Sequence, residues 1–271
     1  MGGTALRDST VLVTGGGSGI GRLMALGAAG RGARVVIWDL DRAAGEGVRD
    51  RIRSLGGTAH AFEVDVADRE QVREAAAATL AAVDRIDVLV GNAGVVTGKR
   101  LLEATEEQIA RTFEVNVLAL YWVARAFLPG MIARRRGTVV TIASAAGLIG
   151  VARQTDYSAS KHAAVGFDES LRAELRADRT GVRTLVVCPY YIDTGMFAGV
   201  RTRFPLLLPI LQPKRVAVRI LDAIESGRSR LLLPPFVRLL PVTRLLPVRA
   251  FDALADLLGV NRSMSRFTGR R

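Results

Sequence analysis

The sequence has almost none of the residues that hold together disulfide-linked or metal-bound domains. Cys188 is its only cysteine, and His60 and His162 are its only histidines. An intramolecular disulfide is therefore excluded, and no metal site is expected. We predict a protein of a reducing compartment, and we interpret Cys188 as a small core residue at a strand end.

Long apolar runs are missing from the start of the chain. The first ten residues are mostly small or polar and lead directly into a predicted strand. We therefore expect neither a signal peptide nor a membrane-spanning helix ahead of the fold. Together with the lack of disulfides, this predicts a cytoplasmic protein.

Acidic residues are scarce in the last third of the chain. Residues 201–271 contain 14 Lys/Arg and 4 Asp/Glu, so they carry +10 of the formal net charge of +12. A solvated basic face and peripheral contact with a membrane are both open interpretations. No nucleic-acid partner is expected, because aromatic residues are not interleaved with the arginines for base stacking. Arginine outnumbers lysine 35 to 3, which is typical of a GC-rich bacterial genome.

The sequence does contain short Val/Ile-rich runs that alternate with longer helical stretches. This alternation predicts a Rossmann-like α/β fold, a doubly wound parallel sheet of about seven strands between two helical layers. The continuous apolar character of the runs fits strands buried on both faces. The predicted strands are 10–14, 34–39, 59–64, 86–91, 137–142, 182–188 and 230–233, with helices at 69–83 and 106–132 among others.

No linker or repeat divides the chain, so we predict a single domain over residues 1–271. We assign a substrate lid to about 190–215 and a C-terminal extension to about 234–271. Prolines prevent a long helix in the Leu/Pro/Arg-rich parts of these segments.

Residues 248–258 predict an amphipathic helix with Phe251, Leu254 and Leu258 on one stripe. Packing on the domain edge and contact with lipid or an apolar substrate both fit that stripe.

A glycine-rich loop follows the first predicted strand. It reads Thr14-Gly15-Gly16-Gly17-Ser18-Gly19-Ile20-Gly21 and leads into a helix, whose N-terminus suits a pyrophosphate. Asp39 ends the second strand 18 residues beyond Gly21. A carboxylate there can bind the adenosine ribose hydroxyls and repel a 2′-phosphate, so we predict NAD as the cofactor. Because Arg42 lies near Asp39 in the sequence, NADP remains an alternative cofactor. The predicted contacts are Gly15, Ser18, Gly19, Ile20, Gly21 and Asp39.

Further cofactor contacts are expected after the third and fourth strands. Asp65 and Val66 can read an adenine edge with a carboxylate and a backbone amide. Asn92-Ala93-Gly94 is small enough to let the chain pass close to a cofactor. The carboxyl ends of parallel strands line the crevice in which such sheets bind ligands.

Tyr157 and Lys161 are four residues apart and share one face of a predicted helix. A phenol with a pKa of ~10 needs ~4 kcal/mol to act as a base near neutral pH, which a cation at ~4 Å can supply. Ser144, after the fifth strand, can hold a substrate oxygen beside the phenol. Asn116 lies in the middle of a predicted helix, where asparagine is a poor helix former. This indicates a polar role, either a local backbone bond or a bound water in a proton relay.

Over nearly its whole length the chain resembles the short-chain dehydrogenase/reductase family. The matching motifs, in chain order, are Thr14-Gly15-x-x-x-Gly19-x-Gly21, Asp65, Asn92-Ala93-Gly94, Asn116, Ser144 and Tyr157-x-x-x-Lys161. The resemblance implies a catalytic tetrad of Asn116, Ser144, Tyr157 and Lys161. Tyr157 would exchange the substrate proton while hydride moves between substrate and nicotinamide. Ser144 would orient the substrate oxygen, Lys161 would hold the nicotinamide ribose and lower the Tyr157 pKa, and Asn116 would anchor a relay water.

The resemblance also implies features outside the tetrad. Thr194 would meet the nicotinamide carboxamide, and Pro189 and Ile192 are further cofactor contacts. A homodimer or homotetramer would form through the two long helices that contain Asn116 and Tyr157.

Tyr190 stands where the family often has glycine. This residue, the run Asp193-Thr194-Gly195-Met196-Phe197 and the closing run 264–270 look like the branch containing retinol dehydrogenase 10 and the 17-beta-hydroxysteroid dehydrogenases of types 11 and 13. That branch implies an NAD-dependent oxidoreductase for a lipophilic alcohol (retinoid, steroid or long-chain) and its carbonyl. Its members usually carry an N-terminal hydrophobic anchor, which we do not expect here.

Two alternatives remain open from the residues themselves. One is a reductase of polar ketones or acyl-thioester carbonyls, since Arg201, Arg203, Lys214 and Arg215 suit an anionic tail. The other is a catalytically idle NAD(H)-binding sensor or lipid-surface protein.

Overall fold

Seven parallel strands form the central sheet in the computed structural model, which describes residues 2–269. The strands are β1 (Thr10–Thr14), β2 (Arg34–Asp39), β3 (Ala59–Glu63), β4 (Val88–Gly91), β5 (Gly137–Ile142), β6 (Val182–Pro189) and β7 (Arg230–Leu233). Their spatial order is β3-β2-β1-β4-β5-β6-β7, and every neighbouring pair is parallel. The order reverses between β1 and β4, so the ligand crevice of such a sheet is expected there.

Helices cover both faces of the sheet and complete three layers. They are α1 (Gly19–Gly30), α2 (Arg42–Ser54), α3 (Arg69–Val83), α4 (Glu106–Phe113), α5 (Ala119–Ala133), α6 (Thr155–Ala177), α7 (Pro213–Glu225), α8 (Leu240–Thr243) and α9 (Val248–Leu257). The core on one face includes α1, α2 and α7, and the core on the other includes α3, α5 and α6. The predicted Rossmann-like architecture is confirmed.

Three predicted strand limits shift. β3 ends at Glu63 rather than at residue 64, and β6 extends to Pro189. β4 begins at Val88 rather than at residue 86, because the chain bends at Asp87, whose carboxylate accepts a hydrogen bond from the Thr10 N–H at 2.9 Å.

The predicted helix 106–132 is divided by a π-helical turn at Glu114–Leu118. Turns of this kind often occur at functional sites, and this one contains Asn116. Glu106–Ala133 as a whole is the one helix in residues 2–269 that is long and apolar enough to cross a membrane. In this fold it lies in a helical layer, with Val123 and Phe127 in the core.

The segment assigned to the lid is irregular up to α7, and the C-terminal extension, as far as residue 269, contains only the short helices α8 and α9 and 3-10 turns. The lid ends where α7 begins at Pro213, slightly before the predicted limit of about 215. In α9 and the residue after it, Phe251, Leu254 and Leu258 are half-buried, which confirms the predicted apolar stripe. Arg270, the last residue of the closing run, lies outside the described residues.

Backbone hydrogen bonds join the lid to the end of the chain. The Thr268 N–H donates to the Ala198 carbonyl at 2.9 Å, and the Arg201 N–H donates to the Ser263 carbonyl at 3.2 Å. The ring of Phe197 in the lid lies 6.4 Å from that of Phe267, measured between centroids. The lid therefore packs against the extension over one side of the sheet's carboxyl edge.

Asp168 lies on α6 and is fully buried, with Oδ2 accepting a hydrogen bond from Thr184 Oγ1 at 3.0 Å. Burial raises the pKa of this carboxyl to about 6. Because the pKa is raised above 3.8, the stability of the protonated form is fully present below about pH 4 and is lost as pH rises through about 6. We predict that Asp168→Asn increases the unfolding free energy at pH 8 by about 1–3 kcal/mol.

Chemical denaturation at pH 4, 6 and 8 measures this effect. The gain should shrink as the pH falls, because the wild-type carboxyl then becomes neutral as well. Glu174→Gln, an exposed position on the same helix, is the matched control and should leave the stability nearly unchanged. A stability loss in Asp168→Asn at pH 8 would show that the ionised carboxylate is needed.

Candidate active site

The glycine-rich loop turns tightly between β1 and α1. Gly15 has a positive φ of 62°, and a Cβ on Gly21 would lie 2.1 Å from the Gly15 carbonyl oxygen. Asn92 holds the turn through Nδ2, which donates to the Thr14 and Gly15 carbonyls at 2.9 and 3.0 Å. These positions keep the loop backbone close to the fourth strand end and leave space above it.

Asp39 closes the outer side of this loop from the end of β2. Its Oδ2 accepts a hydrogen bond from the Gly17 N–H at 2.7 Å, and its Oδ1 accepts one from the Asp41 N–H at 3.0 Å. A Cβ on Gly17 would lie 2.9 Å from Asp39 Oδ2. The loop and the carboxylate therefore form one unit at the β2 end of the crevice.

A cleft extends from the glycine loop to the lid segment. Thirteen of the predicted site residues line it: Gly15, Ser18, Gly19, Ile20, Asn92, Ala93, Gly94, Ser144, Tyr157, Lys161, Pro189, Ile192 and Thr194. The glycine cradle, the start of α1 and the carboxylate at the β2 end are the features that a dinucleotide requires. The residues present therefore fit such a cofactor.

Five predicted site residues do not line this cleft. Gly21 lies in α1 behind the loop, and Asp39 borders it as described. Asp65 follows β3 and is bound by Arg111, whose Nη2 donates to both carboxylate oxygens at 2.9 Å. Val66 is buried beside it. The fifth residue, Asn116, lies behind the cleft floor. The Arg111 partner was not foreseen, since it is 46 residues away in sequence.

Asn116 is 1% exposed and uses its whole amide. Oδ1 accepts from the Val95 N–H at 2.8 Å, and Nδ2 donates to the Val95 carbonyl and to Ser160 Oγ, both at 3.0 Å. Ser160 Oγ in turn donates to the Tyr157 carbonyl at 2.8 Å. The backbone partner is Val95, 21 residues away in sequence, rather than a local one. These bonds tie the loop after β4 to the helix that carries Tyr157.

Tyr157 and Lys161 are both buried on α6, facing the end of β5. The Tyr157 hydroxyl is hydrogen-bonded to the Ser144 side chain. Lys161 Nζ donates to the Ile142 carbonyl at 2.9 Å and lies 5.7 Å from the centroid of the Tyr157 ring. The phenol, the hydroxyl and the amine therefore meet at one point of the cleft.

Burial has the largest effect on the pKa values of Tyr157 and Lys161. It raises the pKa of the Tyr157 phenol well above 10, and the hydrogen bond with Ser144 lowers that pKa by less. Burial also lowers the pKa of Lys161 to about 8. The Tyr157 pKa is thus raised rather than lowered as predicted, because desolvation of the phenolate is the largest influence on it.

A second, largely apolar cavity begins at Ser144 and Tyr157. Besides Ser144 and Tyr157, it is lined by Ala145, Ala146, Ile149, Val151, Gln154, Tyr190, Tyr191, Phe197, Leu208, Phe236, Val237, Leu240, Leu258 and Val260. Phe197 lines both spaces, and its ring stands edge-on to that of Tyr157 with centroids 5.7 Å apart. The apolar lining suits an apolar small molecule.

Several of these lining residues were missed from the sequence. Gln154 Nε2 donates to Tyr191 Oη at 3.4 Å, and Tyr191 Oη shares a 2.8 Å hydrogen bond with Ser263 Oγ. This small buried polar cluster joins three distant parts of the chain. The aromatic run around Tyr190 and Phe197 was the one local signal that pointed to this wall. Cys188 is buried, and its thiol pKa is raised to about 12 by burial, as expected of a core residue.

Comparison of sequences places this site among known proteins. A family model described as short chain dehydrogenase matches residues 9–203. Epidermal retinol dehydrogenase 2 of Mus musculus is 41% identical over 264 residues, covering 96% of this chain and 85% of that protein. Estradiol 17-beta-dehydrogenase 11 of Mus musculus is 40% identical over 252 residues, covering 92% and 84%. The predicted resemblance to the family and to this branch is confirmed.

Solved structures agree on the fold. A short-chain dehydrogenase/reductase from Burkholderia phymatum in complex with NAD superposes with a TM-score of 0.81 at 29% identity, covering 93% of this chain and 96% of that one. A metagenomic short-chain oxidoreductase in complex with NADP has a TM-score of 0.71 at 32% identity, covering 85% and 98%. Both cofactors therefore occur among similar structures.

Proposed function

The chain belongs to the short-chain dehydrogenase/reductase family, and from this premise we propose that it interconverts a lipophilic alcohol and its carbonyl with NAD(H). As a member it is an oxidoreductase that acts on CH–OH groups. The observation that carries the proposal is the apolar cavity that begins at Ser144 and Tyr157. The relatives named for retinol and estradiol support a substrate of this kind.

The cleft residues would hold the cofactor along the carboxyl edge of the sheet. The glycine loop and Ser18 lie where a pyrophosphate would bind at the start of α1, and Thr194 lies at the nicotinamide end. Asp39 would accept hydrogen bonds from the ribose hydroxyls, which would favour NAD over NADP. When bound, the nicotinamide ring supplies hydride chemistry at the cavity floor.

The proton would move at the Tyr157 hydroxyl. In reduction the neutral phenol, whose pKa is raised by burial, would donate its proton to a carbonyl oxygen in the cavity and become a phenolate. In oxidation the phenolate form would take the proton of the alcohol. Ser144 would hold the same oxygen through its hydroxyl. Lys161 would place its amine beneath this point, and Asn116 would keep α6 in position through Ser160.

The predicted homo-oligomer stays a prediction. Leu118, in the π-helical turn, and Tyr121 on α5 are exposed to 42% and 43%, which is consistent with an apolar face there.

We predict that primary alcohols of increasing chain length show rising kcat/KM. Each buried CH2 is worth ~0.8 kcal/mol, or about fourfold, until the chain fills the cavity. Initial rates of NADH formation over such a series measure the slope.

A matched pair of variants tests whether the alcohol chain binds in this cavity. Val237→Thr keeps the side-chain volume but adds a hydroxyl to the cavity wall, and should reduce kcat/KM for long alcohols more than for short ones. Val218→Thr, a half-exposed position on α7, should change neither. A flat chain-length series would argue against a lipophilic substrate.

A further inference from the structure

Two irregular segments wall the apolar cavity. We call residues 204–210 the lid ridge and residues 238–249 the C-terminal ridge. Leu208 of the lid ridge and Leu240 of the C-terminal ridge both line the cavity that begins at Tyr157. Both ridges therefore lie beside the space proposed for the substrate.

Most other apolar side chains on the ridges face solvent. Leu206 and Leu245 are exposed to 102% and 85%. The ridges also expose Phe204, Leu207, Ile210, Leu239, Val242, Leu246 and Val248. Isolated exposed leucines are ordinary, but runs of this size next to one another mark an interaction surface.

The charge on and beside the ridges is predominantly positive. Residues 194–221 and 226–251 contain ten Lys/Arg and no Asp/Glu. Over the described residues 2–269, Arg230 is the one member of this set with a carboxylate partner, Glu169. The guanidinium carbons of Arg203 and Arg244 lie 5.4 and 5.8 Å from the ring centroids of Phe204 and Phe251. Of the acidic residues that border these ranges, Asp222 and Glu225 are paired with Arg31. Positive charge and apolar side chains thus alternate with an excess of positive charge.

The combination of exposed apolar side chains and positive charge indicates which kind of partner covers the two ridges. Exposed leucines and valines bracketed by arginines suit the boundary between anionic headgroups and acyl chains. A second copy of the chain would bring the same excess of positive charge against itself, which opposes a symmetric contact. We propose that the two ridges dock the protein peripherally on an anionic lipid surface, with the apolar cavity beside that surface.

The docking goes beyond the proposed function and does not depend on the roles given to Tyr157 or Lys161. It has a consequence for an apolar substrate. Such a molecule could enter the cavity from the lipid without crossing bulk water, where its solubility is low. Leu208 and Leu240 would then lie along the entry.

Vesicle co-sedimentation of the full chain tests the proposal. We expect binding to vesicles of phosphatidylcholine with phosphatidylserine, weakening with added salt, and little binding to phosphatidylcholine alone. The double variant Leu206→Glu/Leu245→Glu should bind the anionic vesicles at least about tenfold more weakly. Leu55→Glu is the matched control, since Leu55 is 66% exposed after α2, far from the ridges in sequence, and it should bind as the wild type does.

Three results would overturn the docking. They are equal binding to neutral vesicles, unchanged binding of the double variant, and a change in its sedimentation velocity without a change in vesicle binding. The last would identify a protein interface instead. Thermal melting checks that the double variant folds. Its turnover of a short water-soluble alcohol reports on the active site separately, so loss of docking is distinguishable from failure of the proposed function.

Discussion

Tyr157→Phe is expected to reduce turnover by about 10²–10⁴-fold while NADH binding stays close to that of the wild type. The variant removes one hydroxyl, the group that would give and take the substrate proton. The ring remains, and with it the burial and the edge contact with Phe197 at 5.7 Å. The cofactor cleft therefore keeps its shape. Steady-state rates and a fluorescence titration with NADH measure the two effects separately.

Tyr121→Phe is the matched control for this experiment. Tyr121 is a 43%-exposed tyrosine on α5 whose ring packs against Phe167 at 4.8 Å, so it loses the same atom elsewhere. It should keep both turnover and NADH binding. Retained turnover in Tyr157→Phe would remove Tyr157 from the proton transfer and leave the fold without its assigned chemistry.

Asp39→Ala is expected to shift the preference between NAD and NADP by about 30-fold toward NADP. At an effective dielectric of ~20, two unit charges ~4 Å apart repel by about 4 kcal/mol, and half of that already corresponds to this ratio. The variant also removes the acceptor for the Gly17 N–H. Hence kcat/KM for NAD should fall while that for NADP rises, and both are measured with one alcohol.

A neighbouring carboxylate separates a specific role from general negative charge. Glu63 pairs with Asp39 across the β2–β3 register, and Glu63→Ala should shift the preference far less. An unchanged NAD/NADP ratio in Asp39→Ala would remove this residue from cofactor selection. The NAD and NADP complexes among similar structures make this measurement necessary.

Features that depend on local sequence were predictable. The strands of a buried parallel sheet are recognisable in the sequence as apolar runs. The ends of these strands determine where Asp39, Ser144 and Asn92 lie. Asn116 was singled out because asparagine is a poor helix former, and it lies in a π-helical turn that opens the helix. A short run of residues contains enough information for each of these inferences.

Features that depend on packing between distant segments were not predictable. The Arg111 bond to Asp65 and the Gln154–Tyr191–Ser263 cluster join residues that no spacing rule relates. The direction of the Tyr157 pKa also depended on burial, since the cation was foreseen but the desolvation around the phenol was not. The exposure of the two ridges was not predictable either. The composition predicted their positive charge but not which of their leucines face solvent.

NADH formation by the purified protein, with NAD offered alongside retinol, a long-chain alcohol or a hydroxysteroid, tests the account most directly. NADP serves as the paired cofactor and Tyr157→Phe as the blank. We predict NADH formation with at least one of these alcohols, a much slower reaction with NADP, and none above background in the variant. No turnover with any of them, in protein that still binds NADH, would contradict the proposal of a lipophilic alcohol as substrate.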